Sequence, residues 1–359
     1  MALLDIIVTH WNEEWCEGRK FFEMLKMQRG VDWNDVRVLL VQDGEEDNTL
    51  DMERIIKVYP FVDTVVYIPH TGVSAARNEG LKCADAEWVM FCDFDDMLYS
   101  ADSLGRIIAS LEQAGDAADM VWSSFWMEME TPEGVWCKKL KEWNTVFIHG
   151  KVYRRQFLID HGIWFSEELT YSEDAMFNAL VTMEIDAKRI AKMPETVYMW
   201  CYRKGSASNY DGGDAARNLS LYRKRVMVCE AYQERGKIYD ARAAAARAML
   251  DYYWELNGRD ELAGRTKEEW IRRIRTDISD RWPGAFLQIS DSDRAELYRV
   301  TKGEAEKRQL IRPGMPTAEE WLRKLVLYKQ LSTRGKERWL RKLSGKTRRG
   351  RTRSSAPGS

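Results

Sequence analysis

Three carboxylates lie within four residues at Asp93-Phe94-Asp95-Asp96, directly after the apolar run 88–92. Carboxylates this close repel one another unless a cation or solvent offsets their charge, and the end of a buried strand leaves little room for solvent. Hard oxygen ligands favour Mg²⁺ or Mn²⁺, ions that keep several waters and also bind diphosphate oxygens. The turn therefore predicts a divalent-cation site, with a solvated acidic turn that caps the next helix as the alternative.

Polar residues also follow the earlier apolar runs of the chain. They are Thr9-His10-Trp11-Asn12, Asp43-Gly44, and Gly72 with Arg77 a few residues later. Ligands of open parallel sheets bind beyond the carboxyl ends of the strands, so residues at successive strand ends are expected to meet in one place. The chain has no GxxxxGK[ST] or GxGxxG loop, which predicts that metal and Arg side chains, rather than a backbone cradle, hold any phosphate.

The elements that position these residues predict an α/β fold. Apolar runs predict strands at 3–9, 36–42, 62–68 and 88–92, with helices at 15–27, 51–59, 73–83 and 102–113. Continuous apolar strands separated by helices are typical of a parallel sheet that is covered on both faces. After residue 113 the pattern changes, and 120–129 and 145–148 predict strands without a regular helix between them. The expected architecture is a Rossmann-like half followed by a mixed-sheet half.

The strand signal ends at the Gly-rich loop 205–213, and the residues after it predict an all-helical region. Its helices are expected at 215–235, 239–256, 267–281, 294–301 and 318–331. The last segment, 334–359, has ten Lys and Arg against one Glu, which predicts a basic and largely disordered tail. We therefore expect a catalytic domain at 1–210, a helical accessory or acceptor domain at 211–333, and the tail at 334–359.

The composition is that of a globular protein, because 45% of the 359 residues are hydrophobic and 31% are charged. No apolar run approaches the ~20 residues of a transmembrane helix, and the first residues do not predict a signal peptide. The six Cys have no zinc spacing, so we expect reduced thiols and a cytoplasmic location. Residues 1–210 hold 21 Lys and Arg against 36 Asp and Glu, whereas residues 211–359 hold 34 against 21. The basic half suits a polyanion or an anionic surface, although it could also pack on the acidic half.

Together the motifs resemble the inverting glycosyltransferases of family 2, which have the GT-A fold. The resemblance covers residues 3–210 and does not extend beyond residue 215. The matching segments are Thr9-His10-Trp11-Asn12, Asp43-Gly44 with Asp47 and Thr49, 72–81, 93–96, 150–155, Gly162-Ile163 with Phe165, Glu173-Asp174 with Phe177, and Tyr202-Arg203 with Ser206 and Ser208. The resemblance implies a sugar transfer with inversion that uses a nucleotide sugar, first of all a UDP-sugar, and Mn²⁺ or Mg²⁺.

The resemblance also implies a donor pocket at the first strand ends. The implied contacts to the nucleotide sugar are Thr9, Trp11, Asn12, Asp43 and Arg77. Trp11 replaces the Tyr that is frequent in the family, and either ring can stack on a base. Arg77 would contact the base and the diphosphate, with an Arg paired to an acidic neighbour as the structural alternative. Gln42 and Glu45 depart from the family pattern, which leaves the donor sugar open.

For the acidic turn, the resemblance implies that Asp93 reaches the ribose or the metal and that Asp95 binds the metal. Asp96 would shape the turn or support the metal indirectly. His149 is a candidate third ligand or acceptor contact, although a lone His is more often structural. Arg203 lies in a segment that closes over the donor in relatives, where its charge would offset the diphosphate.

Glu173-Asp174 opens a predicted helix, and in the family the second acidic residue of this pair is the general base. Inversion needs a base opposite the leaving diphosphate, which deprotonates the acceptor hydroxyl while its oxygen attacks C1. A carboxylate whose pKa is raised by burial suits that task, so Asp174 is the expected base. The structural alternative is a helix start in which Ser172 is the N-cap and both acids favour the helix dipole.

The expected activity is that of a glycosyltransferase of the hexosyltransferase type. Its acceptor would be a saccharide or lipid-linked envelope molecule, with the basic tail in contact with an anionic membrane. Hydroxymethylated bases in DNA are the second acceptor class, because a basic half would bind phosphates. Two rivals are a non-catalytic nucleotide-sugar or nucleic-acid binding module and a sugar nucleotidyltransferase. The intact Asp93, Asp95 and Asp174 argue against the first, and the absence of an early Gly-rich loop argues against the second.

Overall fold

The structure is a computed structural model that describes residues 2–44, 52–131, 134–203, 206, 214–256, 259–282 and 285. The chain divides into two compact units, Met1–Lys224 and Arg225–Ser359. Both large sheets belong to the first unit, and the described part of the second is helical apart from one short hairpin. The domain boundaries expected after residues 210 and 333 stay predictions.

Strands and helices alternate through the first part of the chain. The described strands are β1 (Leu4–His10), β2 (Val36–Asp43), β3 (Val62–Ile68), β4 (Trp88–Asp93), β5 (Met97–Leu98), β6 (Met120–Trp122), β7 (Phe125–Glu130), β8 (Trp136–Lys141), β9 (Lys151–Arg154), β10 (Ile190–Lys192), β11 (Tyr198–Trp200), β12 (Glu261–Leu262) and β13 (Arg265–Thr266). The described helices are α1 (Trp15–Lys26), α2 (Met52–Val58), α3 (Val73–Cys83), α4 (Ser103–Ala114), α5 (Arg155–Asp160), α6 (Glu173–Glu184), α7 (Asp214–Glu234), α8 (Ile238–Glu255) and α9 (Lys267–Ile274).

The main sheet has seven strands in the order β10-β6-β9-β4-β1-β2-β3. The strands β3, β2, β1 and β4 run parallel, whereas β9 is antiparallel to both β4 and β6. The chain moves to the other side of β1 when it forms β4, and such a reversal of strand order is where an open α/β sheet binds its ligand. Thr9 of β1 pairs in register with Asp93 of β4. Two of the predicted strand-end residues therefore lie side by side.

A second sheet, in the order β5-β11-β7-β8, follows the acidic turn. Asp96 connects this sheet to the turn, because its buried carboxylate accepts hydrogen bonds from the Tyr198 hydroxyl at 2.6 Å and the Cys201 N–H at 2.8 Å. Burial raises the pKa of Asp96 well above its usual value, and the neighbouring carboxylates raise it further. Asp96 thus fixes the turn against β11.

An aromatic cluster supports the acidic turn from the side of α1. The buried Phe94 ring lies 4.5 Å from the His10 ring and 5.7 Å from the Phe22 ring, measured between centroids. A Cβ added at Gly18 of α1 would lie 1.9 Å from Phe94 Cε1, so glycine is what lets the helix come this close. The backbone of the acidic turn is therefore held by packing that has no room for a methyl group.

The four parallel strands and the helices between them are confirmed, with β3 and α3 at their predicted bounds. The strand predicted at 145–148 is wrong. There the Asn144 side chain accepts hydrogen bonds from the N–H groups of Val146 and Phe147, and such local bonds compete with a strand ladder. The predicted strand 120–129 is divided into β6 and β7, and β8 and β9 are strands that the apolar pattern did not predict.

The second unit agrees with the prediction of a helical region. The helices α7, α8 and α9 correspond to those predicted at 215–235, 239–256 and 267–281, and α9 continues as a π-helix over Arg275–Ser279. The helices predicted at 294–301 and 318–331, and the tail 334–359, lie outside the described residues. Within the described part of the chain, every helix is too short or too polar to cross a lipid bilayer.

We expect Gly18→Ala to destabilise the protein, because the new methyl group must displace the Phe94 ring. Overpacking of this kind costs about 1–3 kcal/mol, which outweighs the gain of about 1 kcal/mol that Ala brings to an ordinary helix position. Urea denaturation measures the free energy of unfolding. Arg19→Ala is the control, because this side chain is 65% exposed in the same helix and should change the free energy by less than about 0.5 kcal/mol. Equal free energies for the two variants would contradict the packing account.

Candidate active site

Asp93 ends β4 near the centre of the main sheet and begins the acidic turn. Its Oδ1 accepts a hydrogen bond from Arg77 Nη2 at 2.8 Å. Burial alone would raise the pKa of Asp93, but the charge of Arg77 and its neighbours outweighs burial and holds the pKa below its usual value. Asp93 is therefore ionised at neutral pH, as a metal ligand must be.

Asp95 faces a different cation. Arg203 Nε donates to Asp95 Oδ2 at 2.6 Å, and Arg203 Nη2 donates to Glu13 Oε1 at 3.1 Å. Burial raises the pKa of Asp95, and Arg203 opposes that rise. The residue predicted for the metal and the residue predicted for the donor diphosphate thus pair with each other, and the pair joins the segment after β11 to the loop after β1.

Asp93, Asp96 and His149 form a group that fits a divalent cation. Their ligand atoms all lie within 4.8 Å of one another. His149 Nδ1 lies 3.9 Å from Asp96 Oδ2, and this buried nitrogen has no hydrogen-bond partner among the described residues. An unpartnered buried polar atom is costly, and coordination would remove that cost. Carboxylate oxygens suit Mg²⁺ and Mn²⁺, and the added imidazole nitrogen favours Mn²⁺, the softer of the two.

Arg77 of α3 connects the acidic turn to the first turn of α6. Its Nη1 donates to Glu173 Oε1 at 3.0 Å and to Asp174 Oδ1 at 2.8 Å, while its Nη2 holds Asp93. The residue is only 3% exposed, and its guanidinium lies over the Phe165 ring at 5.2 Å. Burial lowers the pKa of Arg77, but the three carboxylates raise it by a larger amount. The pKa therefore lies above its usual value, and the side chain stays charged. Arg77 is thus paired with acidic neighbours, as in the structural alternative, and its contact with the base and diphosphate stays a prediction.

Asp174 lies buried at the start of α6. Its Oδ1 accepts from Arg77, and its Oδ2 accepts from the Ile148 N–H at 3.4 Å. Burial raises the pKa of Asp174 to about 6, and the charge of Arg77 limits that rise. A carboxylate with this pKa is ionised at pH 7 and binds a proton more readily than an ordinary aspartate does, which suits a general base.

The backbone before Asp174 has an unusual conformation. Ser172 has φ +66° and ψ 18°, in the left-handed region that residues other than glycine rarely adopt. Ser172 does occupy the N-cap position, as in the structural alternative, but its side chain makes no capping hydrogen bond. Glu173 and Asp174 do lie in the first helical turn, where the dipole favours negative charge. Backbone in sparsely populated conformations is concentrated at functional sites.

Asp43, at the end of β2, holds the loop that leads into α3. Its carboxylate accepts from the Thr71 N–H at 2.7 Å and the Gly72 N–H at 2.9 Å, and it lies 3.1 Å from His70 Nδ1. Gly72 has φ +99°, which a residue with a side chain rarely adopts. Asp43 therefore fixes the start of the helix that carries Arg77.

The other residues predicted for the donor pocket lie at the end of β1. Thr9 is buried beside Asp93, and Asn12 is exposed. Trp11 is half exposed and stacks on the His70 ring, with 4.8 Å between centroids and 9° between ring planes. Flat aromatic surfaces of this kind are suited to stacking with a base.

Sequence reasoning did not assign a role to several residues of this region: Glu13, His70, Lys151 and Tyr198. Glu13 and His70 follow β1 and β3, so a longer inspection of each strand end would have found them. Burial lowers the pKa of Lys151 to about 7, and the Tyr198 hydroxyl bonds to Asp96. No local pattern marks these two, because contacts between distant segments place them.

Comparisons with known proteins agree with this geometry. Residues 5–168 match the family described as Glycosyl transferase family 2. The chain is 25% identical over 202 residues to the Uncharacterized glycosyltransferase YibD of Escherichia coli K12, covering 49% of this chain and 57% of that protein. It is 24% identical over 221 residues to the Uncharacterized glycosyltransferase EpsJ of Bacillus subtilis 168, covering 56% and 61%. The matched part of the chain thus spans less than two thirds of either relative.

The fold is similar to that of solved structures of TarS from S. aureus. The structure of TarS 1–349 in complex with UDP-GlcNAc has a TM-score of 0.58 and 16% sequence identity, covering 88% of this chain and 98% of that chain. At this identity the likeness concerns the fold, and the predicted GT-A architecture, a mixed sheet flanked by helices, is confirmed.

We expect Arg77→Met to lower the free energy of unfolding by about 3–5 kcal/mol at pH 8, because three carboxylates lose their buried counter-charge. The loss should shrink at pH 5. Without Arg77 the pKa values of Asp93 and Asp174 rise in the folded protein, so these two carboxylates take up protons there and escape the penalty. Urea denaturation at the two pH values measures both quantities.

Arg29→Met is the matched control, because Arg29 makes a bidentate pair with Asp102 while 72% of its side chain is exposed. Its removal should cost less than about 1 kcal/mol at either pH. A loss for Arg77→Met as small as this, or a loss that does not depend on pH, would contradict the role of Arg77 as the shared counter-charge.

Proposed function

We propose that this chain, whose residues 5–168 match glycosyltransferase family 2, transfers a sugar from a nucleotide sugar to an acceptor hydroxyl with inversion at the anomeric carbon. The proposed donor is a UDP-sugar. The similar fold of TarS 1–349, which was solved with UDP-GlcNAc, supports this choice. The names of the relatives support glycosyltransferase activity.

The observation that carries the proposal is the single Arg77 side chain that bonds to both Asp93 and Asp174. It places a carboxylate with a pKa of about 6 close to the group that fits a divalent cation. An inverting transfer needs both chemistries in one site, on opposite faces of the anomeric carbon: charge stabilisation for the leaving diphosphate and a base for the incoming hydroxyl. A module that only binds nucleotide sugars has no need of the base.

In the proposed reaction, Asp174 takes the proton of the acceptor hydroxyl as its oxygen forms a bond to C1 of the sugar. The bond between C1 and the diphosphate oxygen breaks, and its electron pair leaves with the nucleoside diphosphate. The Ile148 N–H and Arg77 hold the Asp174 carboxylate in one orientation during this step. Arg203, on Asp95, is the proposed counter-charge for the leaving group.

Asp93 and Asp95 are the proposed metal ligands, and we propose that Asp96 and His149, whose ligand atoms lie within 4.8 Å of that of Asp93, complete the site. Mn²⁺ or Mg²⁺ bound there would neutralise the diphosphate charge. Thr9, Trp11, Asn12 and Asp43 are the proposed pocket for the nucleotide.

For the acceptor we propose a saccharide or lipid-linked envelope molecule that the chain meets in the cytoplasm. The helical region 211–333 is the proposed acceptor domain, and the basic tail 334–359 is the proposed contact with an anionic membrane surface. DNA with hydroxymethylated bases is the second candidate. It is favoured by the 34 Lys and Arg against 21 Asp and Glu in residues 211–359.

We expect wild-type protein with Mn²⁺ to release UDP from a UDP-sugar, and Asp174→Asn to lower kcat by about 10²–10⁴-fold, the usual contribution of a general base. The Kd for UDP, measured by calorimetry, should stay within about threefold, because the base acts on the acceptor. Glu173→Gln is the matched control, because this side chain shares the same Arg77 nitrogen, and its loss should be much smaller.

Each reaction is run without acceptor, with a saccharide mixture and with hydroxymethylated DNA, so that the acceptor that accelerates release identifies the partner. EDTA should abolish release. Binding of UDP and Mn²⁺ without turnover of any donor sugar would contradict the proposed activity and favour a binding module. Formation of pyrophosphate would instead identify a nucleotidyltransferase.

We also expect kcat/KM to fall as the pH drops below about 6, because Asp174, with its pKa raised to about 6, then carries a proton. The contribution of Asp174 to the free energy of unfolding should instead increase as the pH drops. A carboxyl whose pKa is higher in the folded state favours folding at low pH, and that contribution is lost as the pH rises through about 6. The free energy of unfolding of Asp174→Asn should therefore improve relative to wild type between pH 4 and pH 7. An acidic limb near pH 4, the ordinary range for aspartate, would contradict this assignment.

A further inference from the structure

Lys151, the first residue of β9, is a buried lysine that makes no salt bridge within the described part of the chain, although the charge of Asp174 acts on it from a longer distance. The residue is 2% exposed. Its Nζ donates a hydrogen bond to the Phe147 carbonyl and lies 5.4 Å from the centroid of the Trp122 ring. Lysine is almost never fully buried unless it is paired, because the loss of hydration costs several kcal/mol. The position of this ammonium therefore calls for a function.

The carbonyl that Lys151 holds belongs to the loop between β8 and β9, and the next residues of that loop both reach the candidate active site. The Ile148 N–H donates to Asp174 Oδ2 at 3.4 Å. The His149 side chain lies in the group with Asp93 and Asp96. A shift of the Phe147 peptide would therefore move a contact of the proposed base and a proposed metal ligand together.

Other bonds fix the two ends of this loop, and in its middle the Lys151 backbone N–H donates to the Ile148 carbonyl at 3.2 Å. Asn144 accepts from the Val146 and Phe147 N–H groups, and Asn178 Nδ2 donates to the Val146 carbonyl at 2.9 Å. At the other end, the Gly150 carbonyl accepts from the Ser123 N–H at 2.8 Å. Between these anchors, the bond from Lys151 holds the Phe147 carbonyl.

Ring packing makes the site of His149 sensitive to that bond. The His149 ring is stacked with two other rings, at 4.9 Å and 11° to Tyr198 and at 5.8 Å and 17° to Phe147, and the Phe125 ring meets it edge-on at 5.2 Å. Phe147 is the residue whose carbonyl Lys151 holds. A rotated Phe147 peptide would move one of these three rings.

We infer that Lys151 is a positioning residue: by holding the Phe147 carbonyl, its ammonium sets both the Ile148 N–H at Asp174 and the His149 ring beside Asp93 and Asp96. This inference rests on the proposed function, which makes Asp174 the base and His149 a ligand. Lys151 is not a catalytic residue, because its hydrogen bond goes to the backbone. It explains why an N–H donor is retained in a buried place where a methionine would fill the same space.

The test compares Lys151→Met with Lys192→Met. Methionine keeps an unbranched apolar stem and removes the ammonium. Lys192 is the matched control, because it is an exposed lysine of the same main sheet whose Nζ also lies over a tryptophan, 4.9 Å from the Trp143 ring. Lys151→Leu, which also removes the donor, provides the same comparison if the methionine variant fails to fold. Lys151→Gln keeps an N–H donor and should shift the His149 signals less than Lys151→Met does.

The first readout needs neither metal nor substrate. The chain has four His, so the imidazole signals in a two-dimensional NMR spectrum can be assigned with His149→Ala. We expect the His149 signals to move in Lys151→Met and to stay in place in Lys192→Met. The second readout is Mn²⁺ binding by electron paramagnetic resonance, with and without UDP. We expect the Kd for Mn²⁺ to rise about 10-fold, in the range seen when a residue that supports a metal ligand is removed.

The third readout is turnover, where kcat should fall about 10-fold while the donor KM stays within about threefold. Unchanged His149 signals and unchanged Mn²⁺ affinity in the Lys151 variant would overturn the inference, even if that variant is less stable. If wild type binds Mn²⁺ without transferring any sugar, and Lys151→Met still weakens that binding, the positioning role stands while the proposed function fails.

Discussion

The buried guanidinium of Arg77 is the interaction on which the candidate site depends. It neutralises Asp93 from β4 and both acids at the start of α6, which are far apart in the sequence. Carboxylates in a buried place need a paired charge, because water is not there to replace it. The helix α3 and the segment before α6 must therefore stay aligned. The neighbouring Asn78 contributes to this alignment, since its amide exchanges two hydrogen bonds with the Phe165 backbone, at 2.9 and 3.0 Å.

Each of the three carboxylates in the acidic turn has its own charged or hydrogen-bonding partner. Asp93 is paired with Arg77, Asp95 with Arg203, and Asp96 with the Tyr198 hydroxyl and a backbone N–H. The turn is thus balanced before any ligand arrives. His149 Nδ1 is the exception, since it lacks a hydrogen-bond partner among the described residues. Asp93, Asp96 and His149 would supply ligands to a divalent cation at this place.

The sequence predicts well those features that depend on local pattern. The parallel strands β1 to β4 and the position of the acidic turn follow from apolar runs and from the rule that parallel sheets bind ligands at their carboxyl ends. The apolar pattern fails where backbone N–H groups donate to a side chain instead of to a neighbouring strand. Asn144 accepts such hydrogen bonds in the segment wrongly predicted to be a strand. The apolar pattern also cannot predict which residues pair with Arg77, because tertiary packing brings Asp93 and Asp174 to this side chain. For the same reason Lys151 carried no signal, since its burial depends on Trp122 and Phe147.

The central claim is that Arg77 couples the charge of Asp93 to the proton affinity of Asp174. The most direct measurement is a ¹³C NMR titration of the Asp174 carboxyl in wild type and in Asp93→Asn, without metal or substrate. The negative charge of Asp93 raises the pKa of Asp174, and Asp93 also shares Arg77 with it. We therefore predict a pKa of about 6 for Asp174 in wild type and a lower pKa in Asp93→Asn. The same pKa in both proteins, or an ordinary aspartate pKa in wild type, would contradict the account.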